Sequence, residues 1–146
     1  MISAKILIFG LPGSGKTHLA ERLQKHLNCA WFNADEIRRQ ANDWEFSNEA
    51  RSRQAYRMKN IANFEDSCGR TVICDFVCPT EETRKIFGAD ISIFMDTISA
   101  GRFADTNKLF EEPDYLGEKA PTFRIVKFLS DEGIQELAED IKKKIS

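Results

Sequence analysis

The stretch Gly10-Leu11-Pro12-Gly13-Ser14-Gly15-Lys16-Thr17 constrains this chain more than any other. It fits G-x-x-x-x-G-K-[ST], the P-loop pattern. Ahead of it runs Lys5-Ile6-Leu7-Ile8-Phe9, an apolar run that reads as a buried strand. Behind it, Leu19, Ala20, Leu23 and Leu27 recur at helical spacing. A strand entering such a loop and a helix leaving it aim backbone N–H groups at an anion. The glycines allow the backbone to bend round that anion without Cβ clashes. Gly10 through Thr17 are therefore expected to hold the phosphates of a nucleotide. Lys16 should reach the β- and γ-phosphates, and the Thr17 hydroxyl should hold Mg²⁺.

The rest of the chain alternates strands and helices. Strands are expected over 29–33, 71–76, 91–95 and 124–128. Helices are expected over 34–40, 47–67, 80–87 and 131–145, with Ser47 as a cap and Cys68-Gly69 as a stop. Residues 42–46 read as a loop, and 99–115 is polar and weakly periodic. Alternation of this kind predicts parallel β-α-β units. The expected fold is a three-layer P-loop NTPase fold: a mostly parallel five-stranded sheet with helices on both faces. Ligands bind such sheets at the carboxyl ends of the strands. Gly10, Asn33, Asp75 and Asp96 mark those ends. The 146 residues suffice for one domain, expected to span 1–146 with a short lid around 99–113.

Composition narrows the classes of function. A formal net charge of −2 supplies no global basic field for nucleic acid or membrane. No apolar run approaches a membrane span and no leader pattern opens the chain, so no membrane partner and a cytoplasmic location are expected. Cys29, Cys68, Cys74 and Cys78 form no C-x-x-C pair. They read as free thiols rather than metal ligands, with Cys78 near the expected site edge as the one candidate for redox chemistry.

Two carboxylates at strand ends, with residues beyond them, carry candidate chemistry. Asp35 lies just past the second strand, where a carboxylate orients an acceptor hydroxyl or holds Mg²⁺ through water. The plain alternative is a helix-start aspartate stabilised by the dipole. Asp75 ends an apolar strand like a Walker B acid, a metal-holding group, against the alternative of a structural carboxylate. Arg38 and Arg51 suit a clamp on an anionic acceptor, against ordinary solvated helix charge. Phe46 and Phe76 suit the walls of a base pocket, against ordinary core. Arg102, in the polar segment, suits charge stabilisation on a transferring group; Lys108 is a second candidate.

Asn33-Ala34-Asp35-Glu36-Ile37-Arg38, followed by Phe46-Ser47-Asn48-Glu49-Ala50-Arg51, resembles the D-G-D-N-I-R … G-F-S-x-x-x-R pattern of adenylylsulfate (APS) kinases. Phe76-Val77-Cys78-Pro79 is similar to that family's F-[IV]-S-P, and Ile91 to Thr97 to its F-x-x-V-x-V-D-T strand. The resemblance covers roughly 5–100 and implies an ATP- and Mg²⁺-dependent kinase that phosphorylates the 3′-hydroxyl of adenylylsulfate. It implies that Asp35, Arg38 and Arg51 meet a nucleotide-like anionic acceptor. It also implies that Phe46, Phe76, Cys78 and Pro79 line the adenine pocket. A homodimer follows only by analogy. Departures are Asn33 for the first acid, Ala34 for glycine, Glu36 for asparagine, Tyr56 for one arginine of a pair, and a shorter lid. They leave other acceptors open: a nucleoside, a nucleotide or a polynucleotide 5′-end, the last served by arginines at 38, 39, 51, 53 and 57. A non-catalytic nucleotide-binding module is the remaining alternative.

Overall fold

Alternate residues of a strand face opposite ways, and the first strand, β1 (Lys5–Phe9), buries both sets. Ile6 and Ile8 join one apolar cluster, and Leu7 and Phe9 the other. A strand apolar on both faces belongs at the centre of a parallel sheet. In the computed structural model, which describes residues 2–101 and 104–146, β1 lies there. The sheet order is β2-β3-β1-β4-β5, with β2 Ala30–Asn33, β3 Val72–Asp75, β4 Ile91–Met95 and β5 Phe123–Ile125. Every pairing is parallel, so all the carboxyl ends lie at one edge.

Six helices connect the strands among the described residues: α1 Lys16–Leu27, α2 Ala34–Ala41, α3 Asn48–Ser67, α4 Glu81–Phe87, α5 Ala104–Leu109 and α6 Asp131–Ile145. On one face, Leu19, Ala20 and Leu23 of α1 and Ile134, Leu137, Ala138 and Ile141 of α6 cover Ile6, Ile8, Ile73 and Ile93. On the other, Ala55, Met58 and Ala62 of α3 and Phe87 of α4 cover Leu7, Phe9, Cys74 and Phe94. A fully buried Leu or Ile contributes about 1.5–3 kcal/mol, and both layers draw on such residues. The Ser47 side chain caps α3 at the Ala50 N–H, 3.2 Å away, as the sequence predicts. The three layers and the parallel order are those expected.

Two elements differ from the sequence expectation. The fifth strand covers 123–125 rather than 124–128, because its ladder with β4 ends where the Asp96 N–H meets the Ile125 carbonyl at 2.8 Å. Phe128 instead lies over Gly15, where an added Cβ would stand 2.9 Å from its ring. Within 99–115, residues 104–109 form α5, which no periodicity announced. The Asn107 side chain bonds both the N–H and the carbonyl of Gly101, at 2.7 and 3.1 Å. A Cβ on Gly101 would stand 3.0 Å from the Pro12 carbonyl, so this segment lies against the phosphate loop.

Candidate active site

The loop between β1 and α1 is built from backbone conformations that side chains resist. Gly13 and Gly15 sit at φ +87° and +94°. A Cβ on Gly10 would come within 2.7 Å of the Met95 carbonyl. Substitution there strains the loop whatever replaces the glycine. The Ser14 hydroxyl is fully buried inside the loop and has no hydrogen-bond partner among the described residues. The loop is anchored from β4's end, where the Thr97 hydroxyl donates to the Ser14 carbonyl at 2.7 Å.

Lys16 opens α1 and is 9% exposed. Its amine donates to the Leu11 carbonyl at 2.9 Å. Burial lowers its pKa to about 8, opposed by the charges of Asp75 and Asp35. Asp75, at the end of β3, is 2% exposed. Burial pushes its carboxyl upward, while Trp31, Lys16, Thr17 and Asn33 pull it back. Its Oδ1 accepts from the Thr17 hydroxyl at 3.2 Å and the Asn33 amide at 3.0 Å. Its Oδ2 accepts from the Trp31 indole at 2.6 Å. The Asn33 amide also reaches Thr17 Oγ1 at 3.2 Å, while its own oxygen caps α2 at the Glu36 N–H. A carboxylate has no N–H to give and could not make the two donations that Asn33 makes.

The second group of residues lies where the 42–46 loop meets α2 and α3. Arg38 is 6% exposed, unlike the solvated helix charge of the plain alternative. Its guanidinium donates to the carbonyls of Asp43 and Glu45 at 3.1 and 3.0 Å and stands 4.7 Å from the Phe46 ring centre. Arg51 donates to the Phe46 carbonyl at 2.9 Å, its guanidinium 5.6 Å from the same ring. Phe46 is exposed and held between two cations, unlike the core residue of the plain reading. Arg53 and Arg57 both bond Asp43, at 2.8 and 2.9 Å, and hold its carboxylate well below the usual range. Arg39 pairs with Glu36 at 2.8 Å. The arginine run is thus largely engaged within the chain.

Phe76, just past β3, is buried edge-on against Phe87. Cys78 follows at φ +45° and is also buried, which pushes its thiol up to about 12. A thiol so disfavoured as thiolate is a poor redox centre. The carbonyls of Cys78 and Pro79 accept from Arg84, whose guanidinium also bonds the Glu111 carbonyl and lies between the rings of Phe9 and Phe110. Arg84 thereby ties the Cys78-Pro79 turn to the segment after α5.

One cavity of about 850 Å³ brings these groups together. Lys16, Thr17, Asp35, Asp75, Arg38, Arg51, Phe46, Phe76, Cys78 and Pro79 all line it, with Pro12, Gly13 and Gly15 of the loop. Gly10, Leu11 and Ser14 shape the loop from outside that lining. Arg102 lies outside the described residues, and Lys108 is exposed and off the lining. Sequence reasoning missed Gln54, which is 2% exposed and donates to the Ala34 carbonyl at 3.0 Å, and Thr106 of α5. It also missed Trp31. Alternation along β2 puts Trp31 on the face of Asn33, and that signal was available.

The residues fit a bound Mg–nucleotide. The glycine cradle leaves room for phosphate oxygens, and the first-turn N–H groups of α1 have no partner within the helix. The Thr17 hydroxyl and Asp75 carboxylate form the oxygen donor pair that Mg²⁺ prefers.

Comparison with known proteins agrees with this geometry. The family model described as AAA domain matches residues 6–98. No curated protein matches the sequence. Among solved structures, the chain is similar to the APS kinase of Mycobacterium tuberculosis, in complex with AMPPNP and APS. The TM-score is 0.72 at 21% identity, covering 98% of this chain and 97% of that one. It is also similar to shikimate kinase from Aquifex aeolicus, with TM-score 0.63 at 15% identity over 95% and 96%. A gluconokinase from Sinorhizobium meliloti gives TM-score 0.64 at 13% identity over 99% of both chains. The shared fold is that of P-loop kinases. Among the described residues no helix is long and apolar enough to cross a membrane.

Proposed function

The chain belongs to the AAA-domain family, and from that premise we propose that it is a phosphotransferase moving the γ-phosphoryl group of ATP to a hydroxyl of a small anionic acceptor. One observation carries this reading. Lys16, Thr17, Asp35 and Asp75 line the same cavity as Arg38, Arg51, Phe46 and Phe76. Groups suited to a phosphoryl donor thus share a space with groups suited to an anion bearing an aromatic ring. Adenylylsulfate is the first acceptor to test, because the sequence segments at 33–51 and 76–79 both support it.

Bound MgATP supplies the phosphoryl group together with a divalent charge that offsets its oxygens. The chain's own part is positioning and electrostatics. The loop and the α1 N-terminus hold the phosphates. Lys16 turns from the Leu11 carbonyl to the phosphates and places its positive charge there. Asp75 and Thr17 would hold the metal. Asp35, exposed on the cavity wall, orients the acceptor hydroxyl and takes its proton. Arg51 faces the acceptor's anionic group, and Phe46 and Phe76 flank its ring. Residues 99–113 act as the lid of a single domain spanning 1–146.

A second acceptor class has a specific observation in its favour. Arg38, which the resemblance assigns to the acceptor, commits its Nη1 to the 43 and 45 carbonyls. Arg51 likewise donates to the Phe46 carbonyl, so both cations are shared with the loop, a weaker clamp that suits a smaller hydroxyl acid or sugar acid. An ATP-consumption screen over adenylylsulfate, nucleosides, nucleotides, shikimate, gluconate and DNA or RNA 5′-ends tests both. Turnover with adenylylsulfate supports the first reading, and turnover only with another acceptor replaces it. No ATP consumption with any of them refutes phosphotransfer.

A further inference from the structure

We infer that Trp31 is a positioning residue of the metal-holding carboxylate, setting the rotamer of Asp75 so that Oδ1 faces the Thr17 hydroxyl. The inference rests on the phosphotransfer reading and deepens it. Trp31 and Asn33 are alternate residues of β2, so both face one side of the sheet. In register they lie beside Ile73 and Asp75 of β3. The indole N–H donates to Oδ2 at 2.6 Å, and the Asn33 amide donates to Oδ1 at 3.0 Å. The two donors therefore grip opposite oxygens of one carboxylate, itself 2% exposed. The indole ring packs, partly buried, against the cluster under α1 and α6, which fixes where its N–H points. A carboxylate with only Oδ1 held could turn about its χ2 bond, whose barrier is broad and low. With Oδ2 pinned by an indole anchored in the core, rotation would break a charge-assisted hydrogen bond.

The β2 strand thus supplies neutral donors where a second carboxylate would stand at Asn33. The site keeps a single fixed acid beside Thr17, and its orientation depends on a residue that touches neither nucleotide phosphate nor acceptor. Outer partners of this kind change metal affinity or activity by about ten- to hundredfold when removed.

Trp31→Phe tests this, since it keeps an aromatic ring against the cluster and removes the indole N–H, together with part of the ring's bulk, which the thermal midpoint reads separately. The expected result is a fall in kcat by about ten- to hundredfold, with the KM for ATP and Mg²⁺-free ADP binding within about twofold of wild type. The Mg²⁺ concentration needed for tight ADP binding should rise by a similar factor, read by calorimetry. Full turnover in the variant overturns the inference. So does a loss of turnover matched by losses of thermal midpoint and of Mg²⁺-free ADP binding, which would mark Trp31 as merely structural.

A second measurement needs no turnover. The chain has 2 tryptophans, so ¹⁵N-labelled protein gives two indole N–H signals, and the one lost in Trp31→Phe is Trp31's. Asp75→Asn should shift that signal upfield by weakening its acceptor; an unmoved signal overturns the inference. If the wild type consumes no ATP with any acceptor, the phosphotransfer reading fails alone. The indole signal and the Mg²⁺ dependence of ADP binding then decide the role of Trp31.

Discussion

The donor and acceptor halves of the cavity are built on opposite plans. Around the phosphate loop, polar groups are buried, few and fixed by the ends of central strands. Lys16 and Asp75 are 9% and 2% exposed, and each hydrogen bond near them runs to a strand, a loop glycine turn or α1. Around the 42–46 loop, the groups are cationic and gathered on helices. Their hydrogen bonds go mostly to the loop itself: Arg38 to two carbonyls, Arg51 to a third, Arg53 and Arg57 to Asp43. A phosphate is the same in every nucleotide, so a rigid mould serves the donor. An acceptor's shape is particular, and there the surface depends on how four arginines fold one short loop.

The largest way to break the comparison is Lys16→Met. Turnover should fall at least about a hundred- to a thousandfold, since the charge on the transferring group loses its partner. Stability should move the other way. Below about 8 the buried amine is charged and its desolvation is felt in full. Between about 8 and its ordinary 10.5 the unfolded chain holds a proton that the folded chain has released, so the wild type gains stability as pH rises. Lys16→Met should therefore be more stable by about 3 kcal/mol at pH 7, a gain that fades as pH rises towards 10.5. Denaturant unfolding at several pH values checks it. Nucleotide affinity of the wild type should fall above pH 8, as the amine loses the charge that phosphates need. Flat stability across that window would show that Lys16 is not held as described.

The acceptor half should respond without touching the donor half. Arg51→Ala removes a charge-assisted donor and should raise the acceptor KM by about ten- to a hundredfold, with the KM for ATP nearly constant. Asp43→Asn keeps the side chain's shape but removes the charge that Arg53 and Arg57 share. The loop loosens, and the acceptor KM should rise by about tenfold. Steady-state kinetics with each substrate varied in turn separate the two. A matching rise in the KM for ATP from either variant would mean that the two halves are one unit.

The same contrast explains what could be read in advance. Phosphate binding needs fixed residue types in one contiguous run, so Gly10 to Thr17 announced itself, and Asp75 followed as the polar end of an apolar strand. Five parallel strands followed from period and punctuation. The acceptor loop did not, because its order depends on through-space pairs: Asp43 drew no attention, and Arg38 read as an acceptor clamp with no sign of its bonds to the 43 and 45 carbonyls. Trp31 was one residue in a short strand until β3 placed Asp75 beside it. α5 stayed hidden for a related reason. Of its residues at 104–109 only Ala104 and Leu109 are apolar, too few for a stripe, and the Asn107–Gly101 bonds tie it back to the preceding segment. The strand at 123–125 ended early because its partner β4 ends at Met95, and Phe128 lies over Gly15 beyond it.

The smallest predicted effect asks whether Phe46 belongs to the acceptor or to the loop. Its ring lies 4.7 and 5.6 Å from the guanidinium carbons of Arg38 and Arg51, yet it is 54% exposed. Phe46→Leu keeps most of the apolar bulk and removes the ring face. An exposed cation–π contact contributes about 0.5–1 kcal/mol, so the acceptor KM should rise about two- to fivefold and the thermal midpoint should barely move. If the ring only steadies Arg51, combining Phe46→Leu with Arg51→Ala should add nothing beyond Arg51→Ala alone. If it also touches the acceptor, the two effects should multiply for an acceptor with an aromatic ring and not for shikimate or gluconate. That double-mutant cycle separates a loop organised by arginines from one that reads an aromatic ring.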